Sequence, residues 1–322
     1  MTAVSISLLH RLRFAVVAVV AVALLVPAAG CGGTKKKKGK KGGLTIKQQL
    51  EKAEAESTPD RQAAAYVKVA RAQQASGDKT GAKDSAKKAF EKLKGEGDAS
   101  LFAPRLLDVA AFLVESGDKK LARDAVKKAV DLCGTIEDPM RKARVLADAG
   151  GLYGDKAKGL GDAKSAKDTL AAATQVAEGI EERFRAEALA AVALGYTRGG
   201  LGEAAGEMVG KLEEAAKALE EPRAKAEALA AAANVQAQIG KKDAAKALLD
   251  EAAAAAKSIQ RSESRAYALL AVGTALAASG DTKQALTLLK DAEKAADKVS
   301  EADTREAVIQ KVRREIAAIE KK

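Results

Sequence analysis

The chain has 322 residues, of which 47% are apolar and 31% charged, with a formal net charge of +11, and this is enough to bury a sizeable core. Aromatic residues make up 3%, tryptophan is absent, and the chain has 27 glycines and 5 prolines; these values exclude an aromatic-rich β-sandwich and a collagenous or proline-rich chain. Alanine fills about a quarter of all positions, and together with leucine, lysine, glutamate and arginine this is the composition of long or stacked helices.

At the N-terminus Arg11 and Arg13 precede an apolar run from Phe14 to Val26, followed by Pro27-Ala28-Ala29-Gly30-Cys31. A basic segment, a short apolar stretch and small residues form the pattern of a signal peptide over residues 1–30. The three small residues before Cys31 resemble the lipobox of bacterial lipoproteins, although leucine is commoner than Ala28 at its position. That resemblance implies cleavage before Cys31 and a diacylglycerol on its thiol. The alternative is an uncleaved anchor, since Phe14 to Gly33 is uncharged; the lysines beyond it would then favour the cytoplasmic side and invert the topology. Cleavage fits the small residues at 28–30 better.

Processing removes His10, the only histidine, and both leader arginines, so the mature chain has no histidine and the net +11 falls to +9. Six of those charges, Lys35, Lys36, Lys37, Lys38, Lys40 and Lys41, lie among glycines in residues 31–43. With no apolar residue to bury after Cys31, this segment reads as a tether. The lysines are either plain spacer or a contact for anionic head groups or another envelope polyanion; nucleic-acid binding is not implied. With Cys31 lipidated, Cys133 has no intramolecular disulfide partner.

Residues 44–57 read as a lone helix. A repeat then covers about residues 60–300. Ser76-Gly77-Asp78, Ser116-Gly117-Asp118 and Ser279-Gly280-Asp281 share one tripeptide, with Gly161, Gly200 and Gly240 as weaker copies, at intervals of 40, 44, 39, 40 and 40 residues. The interval of 44 reflects about four residues inserted between Tyr153 and Gly161. Alanine stands five residues after every glycine (Ala82, Ala122, Ala166, Ala205, Ala245, Ala285). Twelve residues after, Ala89, Ala129, Ala173, Leu212, Ala252 and Ala292 follow. A glycine ending one helix, a polar cap starting the next and small residues seven apart on one face make a helical hairpin. One hairpin cannot bury both its faces, so six must stack. Val126, Leu170, Leu249 and Leu289 are expected to fill the space around the alanines. Pro59, Pro104, Pro139 and Pro222 are expected to fall between units. Residues 304–322 read as a closing helix.

This pattern resembles tetratricopeptide repeats, with Tyr153 and Tyr196 at the tyrosine position and Gly273, Gly154, Ala70, Ala110 and Ala233 at or near the small one. The forty-residue period and the lack of tryptophan depart from it, and a longer helical-hairpin or HEAT-like stack is the alternative. The fold expected is an all-α solenoid of about six stacked hairpins over residues 44–322, with capping helices. The resemblance implies a groove lined by first-helix residues that holds a peptide or partner helix. Carried over by position, these include Arg71, Gln74, Arg144, Glu187, Arg198, Asn234, Gln238 and Tyr267.

No catalysis is expected. A histidine-free chain builds neither a Ser-His-Asp triad nor a histidine-bearing zinc site, and neither a metal nor another cofactor is implied. Glu181-Glu182, Glu213-Glu214 and Glu220-Glu221 point about 100° apart on a helix and read as solvated faces. Cys133 reads as a small buried hydrophobe. Gly200-Leu201-Gly202 with Gly206 lacks the strand a dinucleotide loop needs, and Gly206 to Lys211 is one residue short of a P-loop. Gly202, Gly206 and Gly210 instead suggest a glycine face for a close helix neighbour or a soft fourth unit. The expected protein is an envelope lipoprotein, facing the periplasm from the outer membrane, that serves as a scaffold for protein or peptide partners. The alternative is a structural spacer docking on an anionic wall or membrane surface through its lysines.

Overall fold

The computed structural model describes residues 44–321; the leader, Cys31 and the tether lysines lie outside the described residues. Leu44–Lys322 forms one compact unit. Among the described residues there are fourteen α-helices and no strand. A short α1 (Ile46–Glu54) comes first. Six hairpins follow: α2 (Pro59–Ala75) with α3 (Lys79–Lys92), α4 (Ala99–Glu115) with α5 (Lys119–Leu132), and α6 (Pro139–Gly154) with α7 (Ala163–Glu178). Then come α8 (Glu182–Arg198) with α9 (Gly202–Ala218), α10 (Pro222–Gln238) with α11 (Lys242–Ser258), and α12 (Ser262–Ser279) with α13 (Thr282–Ala296). The last element is α14 (Ala302–Glu320).

One local device closes all six hairpins. The turn glycines 77, 117, 161, 200, 240 and 280 have φ between 69° and 97°, the left-handed region in which a Cβ is costly. The next residue's N–H then reaches back to a carbonyl of the first helix: Asp78 to Gln73 at 2.9 Å, Asp118 to Leu113 at 2.8 Å, Leu201 to Tyr196 at 2.9 Å, Lys241 to Gln236 at 2.9 Å and Asp281 to Leu276 at 3.0 Å. This is the Schellman closure of a helix C-terminus. In the third hairpin the same bond, Asp162 to Tyr153 at 2.6 Å, spans the insertion. Asp155 accepts the Ala157 and Lys158 N–H groups at 2.8 Å each, and Leu160 donates to Leu152 at 2.9 Å. The extra residues are thus absorbed locally. Asp78, Asp118, Asp162 and Asp281 also cap the second helices, accepting N–H groups at 2.8–3.1 Å. In α9 and α11, Leu201 and Lys241 stand at that position and provide no side-chain cap.

Both alanine positions are core. The residues five and twelve after each glycine are at most 1% exposed, Leu212 included, so the second helix approaches its neighbours at alanine distance. Val126, Leu170, Leu249 and Leu289 fill the adjoining space and are also buried. First helices pack on one another in succession, from α2 on α4 to α12 on α14, and each second helix packs on its own first helix and the next. The second helices build no corresponding layer among themselves. A stack joined along its first helices and open along its second helices is concave on the first-helix side.

Two expectations are corrected. Pro59, Pro139 and Pro222 are first residues of helices, but Pro104 lies inside α4. It is the sixth residue of the helix, where the one bond it removes is to the Ser100 carbonyl, still in the first turn. The glycine face of α9 also receives no helix backbone: a Cβ built on Gly202 or Gly206 meets only side-chain atoms of Ile239 and Lys241, and on Gly210 meets nothing within 4 Å. The close approach is between α6 and α8. A Cβ on Gly154 would lie 2.4 Å from the Gly199 carbonyl oxygen, and one on Gly195 would lie 2.7 Å from the Ala147 carbonyl oxygen. There two first helices meet backbone to backbone.

Candidate functional site: the first-helix face

The forty-residue register places Ala64, Pro104, Arg144, Glu187, Glu227 and Tyr267 at one position of successive first helices. From α6 onward this row is charged or aromatic, and its members are held by neighbours. Arg144 Nη2 meets Glu187 Oε1 at 2.7 Å, joining α6 to α8. Arg198 Nη2 meets Asp148 Oδ1 at 2.7 Å, a second bridge between the same two helices. Arg223 Nε donates to Glu227 at 2.8 Å within α10, and the Arg223 guanidinium stacks 4.8 Å from the centre of the Tyr267 ring. Lys311 of α14 lies 5.5 Å from the same ring. Burial and the nearby Glu263 push the Tyr267 hydroxyl above its ordinary pKa, with Arg223 opposing them. The Gln238 amide donates to Asn234 Oδ1 at 3.0 Å.

Four of the eight sequence-expected residues, Arg144, Glu187, Arg198 and Tyr267, are therefore held by neighbouring helices on this face, Arg144 and Glu187 by each other, while Asn234 and Gln238 bond to each other within α10. Arg71 and Gln74 are exposed on α2 at the other end of the stack, and no side-chain bond joins them to the linked face. Beside the charged row, Ala191, Ala231 and Ala271 recur at the forty-residue register and are half-buried. Their methyl groups keep this register position small and apolar. Asp148, Arg223, Glu227 and Lys311 were not expected from sequence. The register alone points to Glu227; the other three depend on how far each side chain reaches across a helix pair.

A second polar cluster fastens α1 to the first hairpin. Glu54 accepts from Lys92 Nζ at 2.7 Å and from the Tyr66 hydroxyl. These bonds hold its carboxyl below the usual range, while burial pushes the Tyr66 hydroxyl up to about 12. An open recess of about 480 Å³ adjoins them, lined by Leu50, Lys88 and Glu91 among others. Among the described residues no group of three or more His, Cys, Asp or Glu is placed to hold a metal ion, and no helix is long and apolar enough to cross a membrane.

Cys133 is buried at 2% exposure and its thiol donates to the Ala129 carbonyl at 3.3 Å. Burial pushes its pKa up to about 11, against a small opposing pull from Lys142. Only the thiolate reacts, so at pH 8 about one thiol in a thousand is competent. With Cys31→Ser, iodoacetamide at pH 8 is expected to leave Cys133 unmodified in native protein and to alkylate it quickly in urea. Mass spectrometry checks this, and rapid native labelling would contradict it. Because folding raises the pKa of this thiol, its contribution to stability is full below the unfolded value near 9 and is lost as pH climbs toward 11.

No family model matches the sequence, and no curated protein matches it. Solved structures do. Ton1535 from Thermococcus onnurineus NA1 is 14% identical with a TM-score of 0.42, covering 82% of this chain and 94% of its own. A Podosopora anserina putative kinesin light chain with nearly identical TPR-like repeats is 19% identical with a TM-score of 0.38, covering 65% and 100%. Rap protein, solved in complex with Competence and Sporulation Factor, is 19% identical with a TM-score of 0.36, covering 84% and 78%. With identities and scores this low, the fold is established by the six closed hairpins themselves: the chain is a tetratricopeptide-like stack of helical hairpins.

Proposed function

We propose that this protein is a non-enzymatic, lipid-anchored envelope scaffold that holds a protein or peptide along the inner face of its first helices. The observation that carries the binding reading is the row Arg144, Glu187, Glu227 and Tyr267 beside the alanine strip of Ala191, Ala231 and Ala271. A row with both signs of charge and an aromatic ring, next to small apolar side chains, suits an extended or helical segment bearing both signs of charge. The 2.7 Å ion pairs are half-exposed, so they are open to exchange with a ligand's charges at little cost. The anchor reading rests on the leader pattern and the small residues before Cys31. Export rests on the same pattern, and the outer-membrane reading rests on Gly32 after Cys31.

Two measurements separate the parts of this reading. Cys31→Ser is expected to move the mature protein from the membrane pellet to the soluble fraction; persistent tight membrane association would count against lipidation. Capture from envelope extract is expected to yield a partner that survives high salt and is lost when Arg71, Arg198 and Tyr267 are replaced together by alanine. Unchanged capture by that triple variant would remove the first-helix face as the binding surface.

A further inference from the structure

The second helices of the first two repeats carry an uncompensated positive face. α3 and α5 each hold five basic residues against two acidic ones. Lys79, Lys83 and Lys87 stand at i, i+4 and i+8 on α3, and Lys119, Arg123 and Lys127 occupy the same register positions on α5. All six are exposed. Among them only Arg123 has an ion pair, with Asp162 at 3.8 Å. Like charges four apart repel along a helix. Asp84 and Asp124 follow one residue later, about 100° round the helix, and form no ion pair with either row.

The pattern does not continue. The corresponding residues are Gly202, Gly206 and Gly210 on α9, and Lys242, Lys246 and Asp250 on α11. A row of exposed like charges four apart, present in two repeats and lost from the later ones, is not a requirement of the stack. Its position in the chain supplies a different reason for it. These are the hairpins that follow Cys31 and the lysine run, and the thirteen residues from Cys31 to Gly43 span at most about 45 Å.

We propose that the α3–α5 face is a peripheral docking surface for anionic phospholipid head groups, with Lys79, Lys83, Lys87, Lys119, Arg123 and Lys127 as its phosphate contacts. This rests on the lipid-anchored reading above for its biological setting. Two rows, each about 12 Å long, at the same register of successive second helices offer more separate phosphate contacts than one row, which suits a membrane surface better than a single polymer strand. A surface of anionic lipid attracts each such side chain independently. The lipid thioether then supplies attachment, and the two helices orient the body by turning their face toward the bilayer.

The test uses the mature chain with Cys31→Ser, so that lipidation plays no part, and sedimentation with vesicles of phosphatidylcholine with or without phosphatidylglycerol. Three variants each lose six positive charges to glutamine: the six α3–α5 residues, the six tether lysines, or the six lysines of α11 and α13. Circular dichroism verifies that each is folded. The parent is expected to bind only the anionic vesicles, and the α3–α5 variant to bind them at least about tenfold more weakly than the α11–α13 variant. Equal loss in those two variants would reduce the effect to net charge and overturn the proposal. So would a parent that ignores anionic vesicles but is retained by an anionic wall polymer. Failure here with release of full-length Cys31→Ser from cells leaves the anchor reading standing; the reverse pattern removes the anchor and keeps the surface.

Discussion

Leu170→Ala is expected to lower the stability of the stack by about 3–5 kcal/mol, at the upper end of large-to-small core changes. Leu170 of α7 is fully buried, and its branched end occupies the recess left by glycines on two first helices. A Cβ on Gly150 would lie 2.5 Å from Leu170 Cγ, one on Gly195 would lie 2.7 Å from Cδ2, and one on Gly199 would lie 3.5 Å from Cδ1. The leucine thus fills the gap between the third hairpin and the fourth. The same geometry fixes a second outcome. Gly150→Ala alone overpacks the recess, costing about 1–3 kcal/mol, but in the Leu170→Ala background the new methyl group enters vacated space. The double variant is expected to be more stable than the sum of the singles by at least about 1 kcal/mol. Urea denaturation of the four proteins measures this, and strict additivity would show that the leucine does not fill the glycine recess.

Gly154→Ala is expected to cost about 3 kcal/mol, for a different reason. Its Cβ would lie 2.4 Å from the Gly199 carbonyl oxygen and 2.7 Å from the Gly199 Cα. Backbone atoms have no alternative rotamer, so α6 and α8 must separate. Separation also lengthens the Arg144–Glu187 and Arg198–Asp148 bridges that span the same pair, so partner capture is expected to weaken along with thermal stability. Gly210→Ala is the control. It sits within α9 with open space around it, and alanine there is expected to stabilise by about 0.5–1 kcal/mol through helix propensity. If the two alanine variants behave alike, the α6–α8 contact is not as close as described.

The repeats were legible because their closure is local. A positive-φ glycine, a carbonyl four residues before it and alanines five and twelve after it all lie within one short stretch of chain, so sequence spacing reports them directly. The first-helix row was legible as a face for the same reason. Its internal pairs were not, since Arg144 and Glu187 are 43 residues apart and meet only through the packing of α6 on α8. Glycine shows the difference clearly. Gly202, Gly206 and Gly210 are regularly spaced, yet only side chains or open space lie opposite them. Gly150, Gly151, Gly154, Gly195 and Gly199 look irregular in sequence, and they lie where the backbones of α6 and α8 meet. Spacing reveals which face a residue occupies; only the fold shows what stands across from it. Pro104 was misplaced because a proline one turn into a helix and a proline at a boundary produce the same local signal.

Among the described residues the last helix, α14, stands in the position of a first helix. Val308 and Val312 are buried, Ile309, Ile316 and Ile319 are half-covered, and Arg313 is tied to Glu293 of α13 at 2.6 Å. The exposed side of α14 is thus the kind of surface that receives the next hairpin everywhere else in the chain. Duplication of one forty-residue stretch would extend the body there or between existing units without rewriting a contact already made. Reach is therefore a quantity that evolution is free to adjust in fixed increments, independently of what the surface recognises.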